Sequence, residues 1–89
     1  MDNLTKLDML KIDLGINGNN YDERLQQFLT AAASYITDEG ITLTDSIEDG
    51  NLEVMYAAWL WRKRTESVGM PRNLRWILNN RLFKEKANG

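Results

Sequence analysis

An all-α fold, a small bundle of about four helices with a short extended segment or loop between the second and third, is what the sequence predicts. Leu occurs twelve times against two Val, and Pro only once, so intrinsic preference leans to helix. Apolar residues recur at helical spacing through most of the chain. At 89 residues and 10.3 kDa there is too little interior for two cores, so a single domain over 1–89 is expected.

The first helix is expected from about Asn3 to Leu14, where Leu7, Leu10 and Leu14 share a face and Gly15 supplies a stop. Gly18 and Asn17, Asn19 and Asn20 make a turn-rich connector. In the second helix Leu25, Phe28, Leu29, Ala32, Tyr35 and Ile36 form one apolar stripe opposite a polar face. Asn20 is the expected N-cap, with Glu23 completing a capping box, and Gly40 the expected terminator. Ile41-Thr42-Leu43-Thr44 alternates and suits a short extended segment. A third helix begins between Ser46 and Leu52 and runs to about Ser67, before Gly69 and Pro71. The fourth starts at Pro71 or just after it and continues to about Lys86.

Composition removes whole classes of chemistry. With no Cys and no His, thiolate nucleophiles, imidazole or thiolate metal sites, Ser-His triads and disulfides are excluded. No apolar run approaches the ~20 residues of a membrane helix. The start, Met1 to Lys6, lacks a basic segment followed by an apolar one, so synthesis in the cytoplasm without a secretory leader is expected. Asp45, Glu48, Asp49 and Glu53 cluster around a helix start, where capping and the helix dipole account for them, and EF-hand spacing is absent. No catalytic site, metal site or cofactor is expected.

The net charge of −2 conceals a polar division. Residues 1–61 carry eleven acids against three bases, a balance of −8, and residues 62–89 carry eight bases against two acids, a balance of +6. Such a chain is suited to binding a polyanion with its back half, or copies of itself front to back.

The third and fourth helices each show two apolar faces. Leu52, Met55, Tyr56, Trp59 and Leu60 form a core stripe on the third, with Val54 and Trp61 on the opposite side flanked by Ala57 and Ala58. Leu74, Ile77, Leu78 and Leu82 form the core stripe of the fourth, with Trp76 and Phe83 opposite. An 89-residue domain buries only ~60–70% of its unfolded surface, so Val54, Trp61, Trp76 and Phe83 are expected at a subunit or partner interface. The alternative is that Trp76 and Phe83 cover the first helix or its connector within one chain. Arg62, Lys63, Arg64, Arg72, Arg75 and Arg81 are candidates for contact with phosphates, although cations also gather at helix C-termini for dipole reasons.

The order of segments resembles a known family. A short first helix through Leu10-Lys11-Ile12-Asp13-Leu14-Gly15-Ile16 precedes Tyr21-Asp22-Glu23-Arg24-Leu25 and the Ala-rich run Thr30 to Ile36. An apolar helix follows, ending in Trp59-Leu60-Trp61-Arg62-Lys63-Arg64, and after Pro71 comes a last helix with Leu74-Arg75-Trp76-Ile77-Leu78. Over nearly the whole chain this is similar to the small head–tail connector, or DNA-packaging adaptor, proteins of tailed bacteriophages. The resemblance implies a structural virion protein that forms a homo-oligomeric ring below the portal vertex. Such a ring contacts the portal protein and a tail or stopper protein, and passes double-stranded DNA through its channel without sequence specificity. The implied location is the head–tail junction. The reading from a different class is a small helical DNA-binding regulator using the basic C-terminal half.

Overall fold

Four helices make up the computed structural model, which describes residues 4–88: α1 (Lys6–Leu14), α2 (Asp22–Asp38), α3 (Ile47–Lys63) and α4 (Arg72–Asn88). The expected first-helix start at Asn3 lies outside the described residues. Within them α1 begins at a capping box that the sequence reading missed. Thr5 Oγ1 accepts from the Asp8 amide at 3.0 Å and the Asp8 carboxylate accepts from the Thr5 amide at 3.2 Å. Gly15 ends α1 at φ 69°, a left-handed conformation, and the Ile16 amide then reaches the Lys11 carbonyl at 2.9 Å.

The capping expectation for α2 fails. Tyr21, not Asn20, is the boundary residue, because its carbonyl takes the first helical bond from the Leu25 amide at 2.8 Å; among the described residues no side chain caps this end. Asp22 and Glu23 in the first turn still oppose the positive end of the dipole. Gly40, at φ 109°, turns the chain out of α2 as expected.

Residues 41–44 form a loop with no strand among the described residues. Four residues have no neighbouring strand to pair with, and carboxylates take the ladder's place. The Thr42 amide donates to Glu85 Oε1 at 2.9 Å and the Thr44 amide to Asp49 Oδ2 at 2.7 Å, while Ile41 is buried.

Ser46 caps α3 by accepting from the Asp49 amide at 3.2 Å. The helix stops at Lys63, short of the expected Ser67. There the Thr65 and Glu66 amides both turn back to the Arg62 carbonyl, and the Trp59 indole N–H holds the Val68 carbonyl at 3.2 Å, drawing the linker back along the helix. In α4 the Pro71 carbonyl accepts from the Arg75 amide, and the helix outlasts its expected end by two residues.

The core is one continuous cluster, with Leu10, Leu25, Ile36, Ile41, Leu52 and Leu74 among its fully enclosed members. α3 is the hub and packs against each of the other three helices. The resulting body is a slab of 43 × 37 × 19 Å. Its radius of gyration of 13.4 Å exceeds the about 12 Å of a compact chain this long. α4 meets the rest through Leu74 and Leu78, with Ile77 and Leu82 packed beside them, and a polar latch, and leaves its other side in solvent.

Candidate protein interface on the last helix

The two apolar faces of α3 and α4 have different fates. On α3 both are covered within the chain, which corrects the expected interface role of Val54 and Trp61. Val54 is 2% exposed, and Ala57 and Ala58 are buried with it. α1 lies over this side: Leu4, Met9 and Ile12 share a hollow with Val54. Trp61 is half-buried in an aromatic group, edge-on to Tyr21 at 5.8 Å and to Phe28 at 5.4 Å between ring centres. A helix surrounded on three sides can be apolar nearly all round without needing a partner.

The α3 basic run is also largely engaged at home. The Arg64 guanidinium lies 3.8 Å from the centre of the Trp61 ring and the Lys63 ammonium 4.5 Å from that of Trp59, one helical turn back in each case. Arg62 donates to the Asp13 carbonyl at 3.3 Å, tying the end of α3 to the end of α1. These three residues remain exposed, but each has a structural occupation.

Arg81 is corrected most firmly. Its guanidinium binds the Asp49 carboxylate, which is only 3% exposed in its side chain, and donates to the Thr42 carbonyl at 2.9 Å. Asp49 also accepts from the Thr44 amide and hydroxyl. Burial would raise the Asp49 pKa, but the Arg81 hydrogen bond and the two from Thr44 outweigh it and hold the carboxyl below the ordinary range. Glu53, likewise buried, pairs with Lys6 at 2.9 Å. Asp49 and Glu53 of the acidic cluster are therefore spoken for by structural partners, and among the described residues no group of three or more acidic side chains converges as a metal site.

What remains is α4. Trp76 is 66% exposed and Phe83 74%, so neither covers α1 or its connector. They lie two turns apart on one stripe, with Asn79 and Asn80 between them and Arg72 and Ala87 continuing it at either end. Arg75 and Lys86 border one side and Lys84 the other. None of Arg72, Arg75, Lys84 or Lys86 forms an ion pair among the described residues. The helix's only acid, Glu85, is turned inward to the Thr42 amide.

No family model, curated protein or solved structure matches this chain.

The surface left by these assignments is therefore an aromatic strip with cationic borders on one outward helix face. Trp76, Phe83, Arg72 and Arg75 were legible as candidates from the sequence. Lys84 and Lys86 were not singled out, although the helical wheel places them beside the same stripe. Exposed aromatics flanked by cations are the composition that recognition surfaces favour.

Proposed function

We propose that this chain is a ring-forming subunit of the head–tail connector type in a tailed bacteriophage. The ring would sit below the portal vertex, continue the DNA channel and present an attachment surface to a tail or stopper protein. Its role is structural, not catalytic, and its partners are further copies of itself, the portal protein and the tail-side protein. The observation that carries this reading is the uncovered Trp76–Phe83 strip of α4, in a chain whose other aromatic residues lie mainly in intrachain clusters. The order of helices and their end sequences supply the resemblance to the connector family. Rings are built from heterologous contacts, in which one surface meets a different one, and a charge-divided subunit suits that geometry.

The test is oligomeric state. Native mass spectrometry or light scattering at high concentration, followed by negative-stain imaging, should reveal rings or ring-sized oligomers, at least with the cognate portal protein present. A strict monomer that also ignores the portal protein would overturn the proposal.

A second reading has an observation of its own: Arg72, Arg75, Lys84 and Lys86 of α4, without ion pairs among the described residues, are placed to meet phosphates. A small DNA-binding regulator built on them would bind duplex without sequence preference and lose affinity steeply with salt.

A further inference from the structure

The α4 strip calls for a surface that is apolar and acidic, and this chain carries one between α1 and the start of α3. α1 and the first turns of α3 enclose two adjoining hollows of about 260 and 400 Å³, which share Leu4 and Met9. Ile47 lines the first and is 80% exposed; Ile12 lines the second and is 66% exposed. Two isoleucines this far into solvent, beside open hollows, form a second uncovered apolar patch. Its charge is opposite to that of α4: Lys6 and Glu53, which also line the first hollow, pair with each other and leave the remaining acids to set the sign. Asp45 lines the first hollow and Asp13 the second, Glu48 stands exposed beside Ile47, and none of the three forms an ion pair among the described residues.

We infer that the α4 strip of one copy seats in the α1–α3 cleft of the next, with Trp76 and Phe83 on the Leu4–Ile12–Ile47 patch and the α4 cations facing Asp13, Asp45 and Glu48. This rests on the connector reading for its expectation of self-assembly and names the two surfaces that would meet. Charge selects this pairing over the symmetric ones. Strip against strip would set four uncompensated cations against four more, and cleft against cleft would do the same with acids. Strip against cleft pairs unlike charges and is heterologous, so it can repeat from copy to copy. The size is adequate: two aromatic rings bury ~150–250 Å² each, roughly half of the ~800 Å² per partner of a standard interface. The flanking residues of a 17-residue helix have the remainder to supply.

Two complementary variants test it. Trp76→Ala with Phe83→Ala removes the strip and leaves the cleft; Ile12→Lys with Ile47→Lys blocks the cleft and leaves the strip. All four positions are exposed, so both proteins should retain helical content and cooperative melting. In sedimentation or light scattering each variant alone should associate about 30-fold more weakly than wild type, the loss expected of an interface hot spot. An equimolar mixture should form a one-to-one dimer that grows no further, because it holds one intact strip facing one intact cleft. Should either variant misfold, the charge reversals Arg72→Glu with Arg75→Glu, and Asp13→Lys with Asp45→Lys, repeat the test: each should fail to associate alone and recover when mixed. Normal rings from the cleft-blocked variant would overturn the pairing while leaving the connector reading standing. Failure of the wild-type chain to associate at any concentration would overturn the pairing; failure to dock on a portal protein as well would remove the connector reading too.

Discussion

Asp49 and Trp61 show how single residues here are committed to the monomer. The Asp49 carboxylate is enclosed and receives hydrogen bonds from Arg81 and Thr44, so its proton is lost at a lower pH in the native state than in the unfolded chain. Its contribution is therefore complete above the unfolded carboxyl pKa of about 3.9 and drains away as pH falls below that value, where the unfolded chain takes up a proton that the native state resists. Asp49→Asn should cost roughly 3 kcal/mol at neutral pH, the lower end of the range for breaking a buried pair, since Arg81 retains partial access to water. Urea denaturation should show the gap between variant and wild type narrowing at pH 3; a gap of the same size at both pH values would mean that the Asp49 charge is not what stabilises the loop. Trp61 and Trp76 make a matched pair of opposite outcome. Trp61→Ala removes a ring from between Tyr21 and Phe28 and strips Arg64 of its platform, so about 2–3 kcal/mol of stability should be lost. Trp76→Ala should stay within about 0.5 kcal/mol of wild type, as an exposed substitution does. Equal losses in thermal or chemical melts would contradict the burial of one and the exposure of the other.

At the scale of the helix, α3 and α4 read alike in sequence and behave differently in the fold. Both carry an apolar stripe with large apolar residues opposite. A helical wheel records the direction of a side chain relative to its own axis and says nothing of which element arrives there. α3 is central, so α1 covers its second side at Val54 and Tyr21 and Phe28 cover it at Trp61; α4 is peripheral, and among the described residues nothing covers its outer side. The exposed half of the candidate interface was therefore legible at Trp76 and Phe83, and the same rule misled at Val54 and Trp61. The helix boundaries followed Gly15, Gly40 and Pro71, whose backbone constraints are local and visible in sequence. The Arg81–Asp49 latch was not legible, because it joins residues 32 apart and depends on how α4 returns to the loop before α3. The Thr5 capping box was legible in principle and overlooked. This asymmetry predicts local stability. α4 is held by the stripe of Leu74, Ile77, Leu78 and Leu82 and by the Arg81–Asp49–Thr42 latch, whereas α2 and α3 share most of the core. Arg81→Leu should speed amide hydrogen exchange in α4 at least about tenfold and leave the centre of α2 near its wild-type rate. Uniform acceleration across all four helices would show that α4 opens only with the whole domain.

For the whole molecule the question is which attraction dominates the basic face, phosphates or an acidic apolar surface, and salt separates them by magnitude. If Arg72, Arg75, Lys84 and Lys86 each neutralised one phosphate, affinity for duplex DNA would fall with a logarithmic salt slope of about −3.6, or about 150-fold between 50 and 200 mM. The −8 balance of residues 1–61 adds repulsion that a dedicated DNA binder lacks. A contact between copies through the α4 strip would draw its free energy chiefly from the burial of Trp76 and Phe83, which salt does not screen, and charges closer than a Debye length of about 8–10 Å are screened only in part. Self-association should accordingly weaken only several-fold over the same range, and Trp76→Ala should cost it more than Arg75→Gln does. Sedimentation for self-association and fluorescence anisotropy for a labelled duplex, both run across that salt series, measure the two slopes. A steep slope for self-association, with Arg75→Gln the more damaging change, would make the contact electrostatic and reduce the exposed aromatics to bystanders. A slope near −3.6 for DNA, with tight binding at low salt and no assembly, would favour the DNA-binding reading.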